Sequence, residues 1–171
     1  MPSPDVRATV ARQLGRAPRG RWRVVSVCGH GHPRVIAVAP ALEDGARFPT
    51  TFWLTCPHLV EAVHALESAG EHHLWTDRAT AEPGLAARLE AADLAYRSAR
   101  RDEGGGVDPC ATVGVAGQAD PLAVKCLHAR LAAALAGIAD PVGEGVLARL
   151  AVDGVWTDCS DAACDRPVIT S

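Results

Sequence analysis

Apolar residues recur at two different spacings along the chain, and the spacing changes near residue 57. Before this point, RWRVVSV at Arg21–Val27 and RVIAV at Arg34–Val38 flank the turn-forming segment CGHGHP. Runs rich in β-branched residues around such a turn predict the two arms of a hairpin. A further run, TFWLT at Thr51–Thr55, predicts one more strand. The sequence therefore predicts a small antiparallel sheet of about three strands.

The rest of the chain has the spacing of three to four residues that is typical of amphipathic helices. A first helix is predicted behind Ser3 and Pro4, which supply a side-chain cap and a proline in the first turn, and Gly15 ends it. Four more helices follow from the same pattern, at residues 57–70, 83–101, 121–138 and 142–150. Together these elements predict an α+β fold, in which several helices cover the sheet.

Length and composition favour one domain. The chain has 171 residues, of which 48% are apolar and 22% are charged, which is enough for a hydrophobic core and argues against general disorder. We assign residues 1–150 to a single α+β domain and residues 151–171 to a polar tail that is predicted to be irregular. No internal repeat is visible in the sequence.

Charge and hydropathy exclude several classes of partner. The net charge is −3 without a dominant basic segment, which disfavours nucleic acid as the main ligand. The longest apolar stretch, Leu131–Ala139, is nine residues long, well below the roughly 20 that span a bilayer. The first fifteen residues contain no uninterrupted apolar segment that would resemble a secretory signal. We therefore expect a cytoplasmic protein.

Arginine outnumbers lysine sixteen to one, and this bias is typical of a GC-rich genome. The one lysine, Lys125, is a candidate for a position where a guanidinium does not replace an ammonium group, such as a site for a small anionic ligand. The alternative is that this lysine survived by chance.

Six cysteines carry most of the remaining information, and no two of them form a C-x-x-C pair. A metal site would have to combine distant parts of the chain. The cysteines are Cys28, Cys56, Cys110, Cys126, Cys159 and Cys164. Of these, Cys110, Cys159 and Cys164 lie in predicted loop or tail, where we expect ordinary exposed thiols.

Two of the other cysteines lie beside predicted turns. Cys28 shares the hairpin turn with His30 and His32, and in an extended turn all three would point to one side. The alternative is a glycine-rich surface turn with two solvated histidines. Cys56 precedes the proline that begins a helix, where the dipole and the free N–H groups stabilise a thiolate. Such a thiolate suits a metal ligand or a nucleophile, and the alternative is a small buried residue.

The segment VKCLH brings Lys125, Cys126 and His128 into four residues. In a regular helix, residues two apart differ by about 200° around the axis and do not face one ion. Either this segment forms an irregular first turn, or only one of Cys126 and His128 is a ligand. Lys125 and His128, three apart, could share a face. In the alternative, Cys126 is a packing residue and His128 a polar group beside the helix.

Four motifs resemble the bacterial domain of unknown function 501 family, which is common in actinobacteria. They are FPTTFWLTCP, LVEAVHALESAG, VKCLHARLAAALA and DPVG. The resemblance extends over roughly Val6–Leu150 and implies cytoplasmic proteins without an established activity. It also implies a cysteine at Cys28, a cysteine or histidine at Cys56, and the Cys-Leu-His of Cys126–His128. The segment AGQADPLA and the tail after Leu150 depart from the family pattern.

The resemblance implies that relatives have either cysteine or histidine at the position of Cys56. Such an exchange is easier to explain for a metal ligand than for a nucleophile. Our first hypothesis is therefore a zinc site of Cys₃His type, formed by Cys28, Cys56, Cys126 and His128. An iron–sulfur cluster is disfavoured because the four ligands are not all cysteines.

Two alternatives belong to other functional classes. In the first, Cys56 is a thiolate nucleophile, His128 is its general base and Lys125 binds an anionic substrate. In the second, the domain is an interaction module without metal, and the same motifs serve only the fold.

Overall fold

The three predicted strands form one antiparallel sheet in the order β1-β2-β3. The protein is described by a computed structural model, which covers residues 2–42, 44–155 and Cys164. The strands are β1 (Trp22–Val27), β2 (Pro33–Val38) and β3 (Phe52–Leu54). Most of the predicted tail lies outside the described residues. The α+β prediction is confirmed.

Alternating side chains of β2 face two different parts of the core, as the period of two in a strand requires. Ile36 and Val38 pack with Val10 of the N-terminal helix α1 (Pro4–Leu14) and with Trp22. Val35 and Ala37 belong to the larger cluster that contains residues of the later helices. The sheet is therefore a middle layer, with α1 on one face and the remaining helices on the other.

Five further α-helices follow the sheet: α2 (Pro57–Ser68), α3 (Glu71–Ala81), α4 (Pro83–Glu103), α5 (Leu127–Leu135) and α6 (Pro141–Val152). A short 3₁₀ turn at Val115–Gly117 lies between α4 and α5. Within the described residues, no helix has both the length and the apolarity needed to cross a bilayer.

Helix α3 was not predicted, because its sequence has no continuous apolar face. In the structure, Ala79 is the one buried residue of this helix. Packing against neighbouring segments holds it instead. A Cβ atom added to Gly145 of α6 would lie 2.4 Å from the Trp75 ring, so α3 and α6 approach closely. Thr76 Oγ1 also accepts a hydrogen bond from the Val124 amide at 3.0 Å.

Helix α5 begins six residues later than predicted, at Leu127 instead of residue 121. The Asp120 carboxylate accepts a hydrogen bond from the Leu122 amide at 2.9 Å and forms a turn there. Val124 then donates to Thr76 of α3, so its amide is used outside a helix. The result is that Cys126 precedes the helix.

A buried arginine holds the long connection between α4 and α5. Arg100 is fully buried, and its Nε donates to Asp108 Oδ2 at 2.9 Å. Its Nη2 donates to the Cys110 carbonyl at 2.8 Å, and further bonds reach the carbonyls of Val113 and Gly114. Cys110 itself is 6% exposed, so the expectation of an exposed thiol there is wrong. These hydrogen bonds of Arg100 attach the connection to α4 at Asp108, Cys110, Val113 and Gly114.

Replacing this arginine tests its role. We expect Arg100→Met to lower the free energy of unfolding by roughly 3–5 kcal/mol, because the Asp108 charge stays buried without its partner. Denaturant titration measures the change. The matched control is Arg101→Met, at an exposed position of the same helix, which should change stability by no more than about 0.5 kcal/mol. Equal losses in the two variants would contradict the assignment.

Candidate metal centre

Three side chains with metal-ligating atoms lie together where α2 meets the start of α5. One ligand atom each from Glu67, Cys126 and His128 lies within 4.8 Å of the other two. Among the residues that the structure describes, this is the only such group of three or more His, Cys, Asp or Glu side chains. We call these three residues the Glu-Cys-His cluster.

The late start of α5 brings Cys126 and His128 together. Cys126 is the N-cap residue, and its backbone is extended with φ −140° and ψ 112°. His128 is the second residue of the helix. Because the pair lies across the helix boundary, the 200° rotation of a regular helix does not separate the two side chains. Of the two possibilities that the sequence left open, the structure has the irregular first turn.

Glu67 reaches the cluster from the last turn of α2. Its Oε1 accepts a hydrogen bond from the Leu127 amide at 2.5 Å, and its Oε2 lies 3.1 Å from His128 Nδ1. Burial by itself would raise the pKa of this carboxyl. The hydrogen bond and the charge of His128, together with the amide of Leu127, outweigh burial and lower the pKa to about 2. Glu67 is therefore an anion that caps α5.

The two ring nitrogens of His128 have different partners. Nδ1 faces Glu67, and Nε2 lies 3.1 Å from the main-chain carbonyl of Val60. Because a carbonyl oxygen only accepts, Nε2 carries a proton. Burial lowers the pKa of the imidazole, but hydrogen bonds with Cys126 and Glu67 and the charge of Glu67 outweigh burial and raise it to about 10. Without a metal, His128 is an imidazolium at neutral pH.

This arrangement differs from that of a nucleophile–base–acid triad. In such a triad, one nitrogen of the histidine meets the acid and the other meets the nucleophile. Here Nδ1 meets Glu67, whereas Nε2 is bound to a main-chain carbonyl. A histidine that ligates a metal commonly donates its second N–H to a backbone carbonyl. The orientation of His128 is therefore compatible with metal ligation through Nδ1.

The cluster is partly accessible to solvent. The side chains of Glu67 and His128 are each 23% exposed, and Cys126 is half-buried. An ion held by three protein atoms at this depth would have a coordination position that water can reach.

Two of the four ligands predicted from the sequence, Cys126 and His128, belong to this cluster, and two do not. Cys56 is the N-cap of α2, as its position before Pro57 predicted, and it is 2% exposed. It precedes Glu67 by eleven residues, which is about 16 Å along the helix axis. Cys28 lies in the hairpin turn, with its Sγ 3.8 Å from that of Cys164.

The other candidate residues occupy separate positions. His30 and Lys125 are exposed, and His32 is half-buried in the hairpin turn. Cys164 is 1% exposed, so the expectation of an exposed thiol is wrong there too. Cys159 lies outside the described residues.

Glu67 is the cluster residue that sequence reasoning missed. It lies within the LVEAVHALESAG motif, and a signal for it was present. A carboxylate in the last turn of a helix is unfavourable beside the negative end of the dipole. A cationic partner from elsewhere in the fold would stabilise such a carboxylate, and in this structure the partner is the His128 imidazolium.

The opposed pKa shifts predict how stability depends on pH when no metal is bound. The His128 contribution is complete below its unfolded value of 6.5 and is lost as pH rises toward about 10. The Glu67 contribution is complete above 4.5 and is lost as pH falls toward about 2. We expect the cluster to add most to the free energy of unfolding between pH 4.5 and 6.5.

Denaturant titrations from pH 3 to 10 in the presence of a chelator measure this dependence. The double variant Glu67→Gln, His128→Gln should lose the pH-dependent contribution on both sides of the maximum. The control is His64→Gln, which changes an exposed histidine of α2 and should leave the wild-type profile unchanged. Superimposable profiles for the wild type and the double variant would refute the ion pair.

Comparison with known proteins finds one family. A family model described as "Protein of unknown function (DUF501)" matches residues 24–148, more than half of the chain. This range includes the four motifs quoted above, and the match confirms the family resemblance that they indicated. No curated protein and no solved structure matches the chain.

Proposed function

The chain belongs to the DUF501 family, and since that description names no activity, we propose from the site alone that the domain binds a divalent transition metal, with zinc as the best fit. The ligands are Glu67, Cys126 and His128. One observation carries the proposal: Nε2 of His128 is held by the Val60 carbonyl, which leaves Nδ1 to face Glu67.

The donor set fits zinc better than other common ions. A thiolate disfavours Mg²⁺ and Ca²⁺, which prefer oxygen ligands, whereas zinc accepts sulfur, nitrogen and oxygen together. His128 Nδ1 and Glu67 Oε2 are 3.1 Å apart, close to the roughly 3.3 Å edge of a tetrahedron with bonds near 2 Å. An iron–sulfur cluster is disfavoured, because the Glu-Cys-His cluster has one thiolate.

Three protein ligands and a partly exposed position support an open site. Structural zinc sites are closed by four protein ligands, whereas a site with three keeps one position for water or a ligand. This proposal replaces the closed Cys₃His site that the sequence suggested, because Cys28 and Cys56 lie outside the cluster. In the proposed site, Cys126 supplies a soft sulfur ligand, Glu67 supplies a negatively charged oxygen ligand, and the Val60 carbonyl orients the imidazole of His128.

Metal content of the untagged protein tests the proposal. We expect the wild type to bind about one equivalent of zinc, as a single three-ligand site requires. His128→Gln and Cys126→Ser should each weaken zinc binding at least about 100-fold, which is more than an outer-shell residue typically contributes. Competition with a chromogenic chelator measures the affinities, and circular dichroism shows whether each variant is folded.

Cobalt substitution identifies the ligands. Cobalt-loaded wild-type protein should have a near-ultraviolet charge-transfer band from the Cys126 thiolate, and Cys126→Ser should remove it. The matched control, Cys110→Ser, changes a buried cysteine outside the cluster and should keep both the band and the affinity. Less than about a tenth of an equivalent in the wild type, or unchanged binding in folded Cys126→Ser and His128→Gln, would refute the proposal.

A further inference from the structure

A second pair of cysteines lies apart from the Glu-Cys-His cluster. The Sγ atoms of Cys28 and Cys164 are 3.8 Å apart, although 136 positions separate the two residues in sequence. Cys28 is half-buried and directly follows β1, whereas Cys164 is 1% exposed. The two sulfurs are therefore in van der Waals contact, and Cys28 is the more exposed of the two residues.

Main-chain hydrogen bonds hold Cys28 in place. Its amide donates to the carbonyl of His32 at 2.9 Å, and its carbonyl accepts from the amide of Gly31 at 2.9 Å. These bonds close the turn between β1 and β2. The backbone of Cys28 is thus fixed by two hydrogen bonds within the turn.

The buried amide of Gln13 holds Cys164 against the same region. Gln13 Nε2 donates to the carbonyl of Cys164 at 3.0 Å and to that of Pro33 at 3.1 Å. Pro33 is the first residue of β2, and Gln13 is fully buried in α1. One side chain therefore positions Cys164 beside the hairpin, independently of the contact between the sulfurs.

We propose that Cys28 and Cys164 are a site of covalent modification, where a reversible intramolecular disulfide forms by exchange with a small-molecule disulfide. The sulfurs must approach by about 1.8 Å to reach the bond length near 2.0 Å. Side-chain rotation at the two residues provides this movement, while the turn bonds and the Gln13 contacts keep the backbones close.

The exchange has two steps, and its atoms and electrons balance. The Cys28 thiol loses its proton, and its sulfur attacks one sulfur of the reagent, which releases the first small thiolate and leaves a mixed disulfide on Cys28. The deprotonated Cys164 sulfur then attacks Cys28 Sγ and displaces the second small thiolate. The two cysteines are oxidised, the reagent disulfide is reduced to two thiols, and these take up the two protons.

The difference in burial assigns the two roles. Cys28, the more exposed residue, meets the reagent first, and buried Cys164 resolves the mixed disulfide. Because both sulfurs are already in contact, the second step needs no diffusion and should be faster than the first. The product joins residue 164 covalently to the β1–β2 turn.

Oxidised glutathione added to the full chain, in the presence of a chelator, tests the site. We expect intact mass to fall by two hydrogens, and peptide mapping without reductant to find Cys28 joined to Cys164. The protein disulfide should exceed the mixed disulfide on the order of tenfold, and dithiothreitol should reverse it.

Single variants separate the two steps. Cys164→Ser should accumulate glutathione on Cys28, because the resolving thiol is absent, and Cys28→Ser should leave Cys164 reduced. The control Cys110→Ser, at another buried thiol, should form the wild-type cross-link.

Several outcomes would overturn the proposal. They are a lasting mixed disulfide on Cys28 of the wild type, a cross-link from Cys28 to Cys159 in place of Cys164, and a pair that stays reduced. Zinc that is retained by the wild type and lost in Cys28→Ser would identify the pair as metal ligands instead.

Discussion

The hydrogen bond from the Leu127 amide to the Glu67 carboxylate determines how the candidate site is built. It satisfies the first free N–H of α5 with a side chain of α2, so it defines both where α5 begins and where α2 meets it. The same carboxylate faces His128 through its second oxygen at 3.1 Å. If α5 began earlier, Cys126 and His128 would lie on different faces of a helix, and the cluster would not form.

A buried arginine connects the parts of the fold that meet at this junction, because its charge must be compensated where water is absent. Arg130 of α5 bonds to Asp140 at 3.1 Å, and Asp140 caps α6 by accepting from the amides of Val142 and Gly143. The second guanidinium nitrogen donates to the carbonyl of Pro121 at 3.0 Å, in the segment that leads to Cys126. The Arg130 side chain thus connects α5, the start of α6 and the segment that precedes Cys126.

Much of the fold follows from local pattern. The strands, the Ser3 cap of α1 with Gly15 behind it, and the position of Cys56 before α2 agree with the sequence, because each depends on neighbouring residues. Helix α3 and the start of α5 do not agree. Trp75 of α3 packs over Gly145, and Thr76 takes the amide of Val124, so both differences arise from contacts between segments that are distant in the chain.

The sequence by itself determined the α+β class and the family, and it made Cys126 and His128 candidate site residues, since spacing and motif are properties of the chain. Only the tertiary structure decided that Glu67 completes their cluster, that Cys56 stays out of it, and that Cys28 meets Cys164. The reason is physical: convergence of side chains depends on where helices begin and on which buried polar groups satisfy one another. These conditions are met only when all the elements are packed together.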